Sequence, residues 1–199
     1  KQVELIRDLA RYSRVTLEAS SPEDEINALH ATTYLARLGK EVGYSGPLLK
    51  FLGDKISSRL AEALENSGIR LVEKGEFQFP ECQPSYPFQF FKVDETLKVK
   101  DNVYVTGDLI YGLPKLGELA MRTGIYVAKA IEGLKEPFRP IFINVIKLPK
   151  GKAIYIKTDR PWGGKTEVFK VSRFRYLTKV FLERYYLLSN GKMGFLERF

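Results

Sequence analysis

Val3, Ile6, Leu9 and Ala10 recur at helical spacing, and the β-branched run Val15-Thr16-Leu17 follows Arg14. A helix and then a strand are expected. Ser21 before Pro22 predicts a capped helix start with proline in its first turn, where Glu23, Asp24 and Glu25 suit the positive end of the dipole. The pattern carries this helix to about Val42, and Gly43, Gly46 and Pro47 then interrupt it. A second helix begins near Asp54, with Ile56, Leu60 and Leu64 on one face and Gly68 as its stop. A strand over 69–72 follows. Residues 75–91, rich in proline, glutamine and aromatics, predict irregular or edge-strand structure. Next come a strand over 103–105, a Gly-Asp turn, and a helix from about Leu116 to Ile131 that ends at Gly133. Strands alternating with helices predict an α/β architecture with a largely parallel sheet up to about residue 135.

After Pro140 the texture changes. Antiparallel strands are expected over 141–145 and 153–157 around Pro149-Lys150-Gly151, and over 168–171, before an aromatic helix from about Arg173 to Leu188. On that helix Phe174, Leu177, Phe181, Tyr185 and Leu188 form one face, while Arg175, Lys179, Glu183 and Arg184 lie elsewhere. Such a stripe suits the headgroup region of a membrane, helped by Phe195, Leu196 and Phe199, or equally the protein's own sheet.

Charge sharpens this division. The net charge of +8 hides a balance of 18 Lys and Arg against 20 Asp and Glu in residues 1–138, and of 14 against 4 in residues 139–199. A basic, aromatic tail points to a polyanionic surface, and anionic lipid is preferred because no DNA- or RNA-binding motif accompanies it. No apolar run approaches the roughly 20 residues of a spanning helix. A single cysteine, Cys82, excludes an internal disulfide framework and a cysteine-rich metal site. His30 has no second histidine or cysteine near it with which to hold a metal. The expected setting is cytoplasmic, with peripheral membrane contact open. Because the first residue is Lys1 and not Met, the chain is expected to start inside a longer protein.

The most informative stretch runs Val93-Asp94-Glu95-Thr96-Leu97-Lys98-Val99, then Asp101-Asn102-Val103-Tyr104-Val105-Thr106-Gly107-Asp108. It continues through Gly112-Leu113-Pro114-Lys115-Leu116-Gly117-Glu118-Leu119-Ala120 to Gly124-Ile125-Tyr126-Val127-Ala128. An acid at the tip of a parallel strand faces the ligand crevice of an open α/β sheet, so Asp108 suits sugar-type hydroxyls, and Gly107 lets backbone approach a ligand. A helix starting near Leu116 aims free amides at an electron-rich carbonyl. A surface turn that merely caps a helix is the alternative for the Gly-Asp pair taken alone.

Residues 93–133 resemble the second flavin-contacting motif of the pyridine nucleotide-disulfide reductase superfamily. The resemblance implies the C-terminal portion of a Rossmann-like, two-dinucleotide-binding-domain flavoprotein, followed by a small β plus amphipathic helix region. It implies a partial NAD-binding-like region over 1–74, an FAD-domain return segment over 75–138, and a basic, aromatic membrane-associating or interface region over 139–199. Asp108, with Gly107, would bind the ribityl chain of FAD, and the backbone of Lys115, Leu116 and Gly117 would face flavin N1 and O2. The segment 14–18 looks like the second strand of a Rossmann unit, with Glu18 either a ribose-binding acid or a solvated strand end. NAD(P)H stays open as a second cofactor.

Trp162-Gly163-Gly164, residues 173–176 and residues 181–188 look like the closing region of sulfide:quinone oxidoreductases and type II NADH dehydrogenases, which implies quinone as electron acceptor. That superfamily holds the ADP half of FAD on a Gly-x-Gly-x-x-Gly turn, and this sequence contains none. An N-terminal half or a partner subunit is therefore expected to supply it. Sulfide oxidation in the resembled enzymes uses two cysteines, one beyond the Gly-Asp motif, whereas no cysteine follows Cys82 here. That contrast favours a dehydrogenase-like or noncatalytic role.

Overall fold

A computed structural model describes residues 2–19, 21–81, 83–84 and 87–190, so Cys82, Phe195, Leu196 and Phe199 lie outside the described residues. Helix α1 (Gln2–Leu9) leads into strand β1 (Arg14–Glu18), helix α2 (Pro22–Arg37), strand β2 (Glu41–Ser45), helix α3 (Asp54–Glu65) and strands β3 (Arg70–Leu71) and β4 (Phe77–Gln78). The four strands form a parallel sheet in the order β3-β2-β1-β4. Val15 and Leu17 on β1, and Val42 and Tyr44 on β2, are almost wholly buried, as interior strands covered on both faces must be.

Two expectations change here. The helix does not reach Val42. It ends at Arg37, because Gly39 takes a left-handed φ of +79° that turns the chain back, and Glu41 opens β2. Nor is β1 the second strand of its unit. In the order β3-β2-β1-β4 it lies between β2 and β4 and feeds the crossover helix α2, which is the place of the first strand in a doubly wound sheet.

The next region is smaller. Strands β5 (Lys98–Lys100) and β6 (Val103–Tyr104) form an antiparallel ribbon that precedes helix α4 (Gly117–Ile131). The expected parallel strand at 103–105 is thus one arm of a hairpin, reversed where Asn102 adopts a φ of +58°. The Asp94 side chain organises the approach to it by accepting from the amides of Thr96 and Lys98. Leu97, Val105, Ile110 and Tyr126 make a separate small core, with Phe138 edge-on to Tyr126 at 5.3 Å.

Strands β7 (Phe142–Lys147), β8 (Ala153–Thr158) and β9 (Glu167–Ser172) then form an antiparallel sheet, and helix α5 (Arg173–Leu188) follows directly. Alternate residues of β7, Phe142, Asn144 and Ile146, are buried. They pack into the same core as the parallel sheet, because α2 touches β1 and β2 as well as β7. Ile26, Ala28, Leu29, Ala31, Thr32, Thr33 and Leu35 of α2 are all buried, so this helix has no broad solvent face.

Polar groups along such a helix need partners inside the protein. Thr32 and Thr33 donate back to the carbonyls of Ala28 and His30. His30 Nε2 lies 3.1 Å from Asn144 Oδ1 on β7. Burial lowers the His30 pKa from 6.5 to about 4, against the opposing effect of Asn144, and Lys179 and Lys147 push it the same way as burial. The folded state therefore prefers neutral His30, whereas the unfolded chain takes up a proton near 6.5. Unfolding free energy measured by urea titration is expected to be level above that value and to fall as pH drops from 6.5 toward 4. The variant His30→Gln should show a flatter acid limb across the same window.

Candidate functional site

The Gly107–Leu109 turn links the β5–β6 ribbon to the loop before α4. Gly107 adopts a φ of +68°, a conformation that glycine takes without strain. Its amide donates to Thr123 Oγ1 at 2.8 Å, and the same hydroxyl donates to the Ala120 carbonyl at 2.7 Å. Thr123 is buried, so this relay ties the turn to the second turn of α4. The far side of the turn is held by Phe91, whose amide donates to Leu109 O and whose carbonyl accepts from the Tyr111 amide. Asp108 is exposed, and among the described residues no side chain or amide engages its carboxylate.

Lys115 is buried. Its ammonium donates to the Ile110 carbonyl at 2.7 Å and lies 4.3 Å from the centre of the Phe90 ring. The aliphatic stem and the charge are thereby folded back under the loop, and the backbone of 115–117 forms the approach to α4. Leu116 is the extended residue before the helix, and no side chain caps the first turn. The amides of Gly117, Glu118 and Leu119 have no carbonyl one turn earlier to bond, as at any helix start. The turn that carries the unengaged Asp108 carboxylate is thus locked to α4, a helix whose first turn no side chain caps. These groups fit the polyol and pyrimidine end of a flavin. Nothing in residues 107–117 fits its pyrophosphate.

A cleft of about 840 Å³ opens nearby, walled by Val93, Leu97, Tyr111, Leu113, Phe138 and Trp162 among others. Gly107, Asp108 and the start of α4 are not part of its wall. Glu18 stands far from this group in the chain, at the end of β1, where its Oε2 accepts from the Gly75 amide at 2.9 Å. Gly75 is packed so closely that a Cβ there would come within 2.7 Å of the Glu18 nitrogen. The structure thus groups Gly107, Asp108, Lys115, Leu116 and Gly117 around one turn and places Glu18 in a clip between β1 and the strand that follows Gly75.

Sequence reading missed Thr123 and Phe90, which position the turn and Lys115, since neither belongs to a chemical motif. Glu25, an acid of the first turn of α2, is fully buried. Its carboxyl accepts from the Tyr44 hydroxyl at 3.0 Å, its Oε2 has no hydrogen-bond partner among the described residues, and burial raises its pKa.

The face of α5 also differs from a helix packed by its apolar side. Phe174, Leu177, Phe181 and Leu188 are 60 to 84% exposed. The polar side meets the sheet instead. Arg175 lies 4.1 Å from the centre of the Tyr155 ring on β8, and Lys147 on β7 pairs with Glu183 at 2.5 Å. Among the described residues no helix is long and apolar enough to cross a membrane.

The variant Thr123→Val keeps the side-chain shape while leaving the Gly107 amide unpaired. It is expected to lower stability by about 1 to 3 kcal/mol and to speed amide exchange at Gly107 ahead of the parallel sheet. Denaturant titration and residue-resolved hydrogen exchange check it.

No family model matches the chain, and no curated protein matches it in sequence. Solved structures do. The sulfide:quinone oxidoreductase from the hyperthermophilic bacterium Aquifex aeolicus superposes with a TM-score of 0.68 at 13% identity, over 96% of this chain and 62% of that one. LpdA from Mycobacterium tuberculosis superposes with a TM-score of 0.49 at 14% identity, over 72% of this chain and 40% of that one. The chain spans 62% of the length of the oxidoreductase from Aquifex aeolicus. The mixed α/β architecture expected from the sequence is the one found, and the chain has the fold of a portion of that sulfide:quinone oxidoreductase.

Proposed function

We propose that the chain is the flavin-facing part of an FAD-dependent oxidoreductase that passes electrons from NAD(P)H or sulfide through FAD to a quinone, with the ADP-binding half supplied by another segment or subunit. One observation carries this reading: the Gly107 amide is locked to Thr123, so the turn that bears the exposed, unengaged Asp108 is fixed against α4, whose first turn no side chain caps. The oxidoreductase-type fold supports it.

Bound FAD would supply the two-electron chemistry, and the chain's part is to hold and polarise it. Asp108 would accept hydrogen bonds from ribityl hydroxyls. The amides at 117–119 would stabilise negative charge at the pyrimidine edge through direct donation and the helix dipole. Thr123 would hold the turn against α4 so that these donors need not reorganise.

A second reading is a noncatalytic subunit that keeps this fold and binds an anionic membrane surface or a partner. The outward apolar face of α5, beside a basic C-terminal region, favours it. The two readings are separable. Protein isolated together with its natural companions is expected to be yellow, with flavin absorbance, and Asp108→Ala should lower flavin occupancy about ten-fold, the effect of losing a charge-assisted hydrogen bond. A colourless preparation that still pellets with anionic liposomes rejects the enzymatic reading and supports the second.

Membrane contact has its own measure. Replacing Phe174, Leu177 and Phe181 together with serine should abolish sedimentation with anionic liposomes while leaving the unfolding midpoint nearly unchanged, since these side chains are exposed. Unaltered sedimentation would assign binding elsewhere.

A further inference from the structure

The parallel sheet occupies the place of a dinucleotide-binding unit, and its strand order identifies where a pyrophosphate would go. That place is the turn between β1 and α2. Three requirements can be checked against the residues there.

The first is close backbone approach, which dinucleotide sheets obtain from glycines. Residues 19–24 read Ala-Ser-Ser-Pro-Glu-Asp and contain none. The second is a set of free amides in the first helical turn. Pro22 has no amide hydrogen. The Asp24 amide donates to Ser21 Oγ at 3.3 Å and the Glu25 amide to Ser21 O at 3.1 Å. Of the first four helical residues, only Glu23 keeps an amide that neither bond uses. The third is an acid at the end of the second strand for a ribose hydroxyl. β2 ends in Ser45, whose hydroxyl donates to the Glu73 carbonyl at 3.0 Å.

The positive end of the helix is also taken. Ser21 Oγ lies 3.0 Å from Asp24 Oδ2, and Asp24 is 3% exposed. Glu25, fully buried, accepts from the Tyr44 hydroxyl at 3.0 Å, and its Oε2 has no hydrogen-bond partner among the described residues. Leu48 and Leu49, in the loop after β2, adopt left-handed φ of +56° and +54°. A Cβ at Gly46 would lie 2.4 Å from the Tyr44 hydroxyl, so glycine there lets the phenol reach Glu25. The end of β2 is thereby tied to the start of α2 through the Tyr44–Glu25 bond.

We infer that this sheet excludes pyridine nucleotides, because the turn after β1 offers neither glycines nor a set of free amides and sets the buried Asp24 and Glu25 carboxyl groups where the fold would otherwise seat a pyrophosphate. The inference goes beyond the flavin reading and does not depend on it. Under that reading, electrons reach the flavin from a donor that is not seated on this sheet.

The test is amide-resolved NMR of the full chain titrated separately with NADH, NADPH and ADP. Resonances of residues 19–25 and 44–49 are expected to stay in place at millimolar ligand, and a saturable shift among them overturns the inference. Flavin absorbance of the protein isolated with its natural companions separates the two claims: a colourless preparation removes the flavin reading, while unmoved residues 19–25 in the titration leave this one standing.

Discussion

Helix α2 is walled on two sides, by the parallel sheet and by the antiparallel sheet, and most of the structure depends on that confinement. Burying Ile26, Leu29 and Leu35 at roughly 1.5 to 3 kcal/mol each joins the two sheets into one core. The same confinement removes water from the polar side chains of the helix. Thr32 and Thr33 turn back on their own backbone, His30 is kept neutral against Asn144, and Glu25 accepts from Tyr44 on β2. Each of these bonds follows from burial, because an unpaired group in the same place would cost about 1 to 3 kcal/mol.

The small core around Leu97, Ile110 and Tyr126 follows a different logic. It is too slight to define a rigid surface by apolar packing alone, and the Gly107 turn is instead positioned by one shared hydroxyl. Thr123 accepts from the turn and donates to α4 at once, which fixes distance and direction together. Lys115 contributes by the opposite route. Its charge is folded inward over Phe90 and onto a carbonyl, so the loop is stapled from beneath and its backbone is left to face outward.

At the far end, α5 shows how amphipathicity can be satisfied with its apolar stripe turned away. The contacts that seat the helix are an arginine over a tyrosine ring and a lysine–glutamate pair with its lysine only 19% exposed. They hold the helix while Phe174, Leu177 and Phe181 remain uncovered, and a surface of that kind is a site for association.

Sequence alone determined much of this protein. Periodicity and β-branching located β1, α3, α4, the three antiparallel strands and α5, and the alternation of strands with helices indicated the α/β fold. Gly39 was overlooked as a stop, so β2 was absorbed into a helix. Periodicity alone could not part them, because Val42 and Tyr44 are buried in a strand covered on both faces. What only the tertiary structure decided were the relations between distant segments. These include the strand order that makes β1 the first strand, the burial of Glu25 in the acidic first turn of α2, the service of Thr123 to a turn 16 residues away, and the outward face of α5. Local patterns report which side chains share a face, whereas the neighbour that covers a face, and the polar groups it strands or satisfies, are set by packing between parts of the chain that no local window contains.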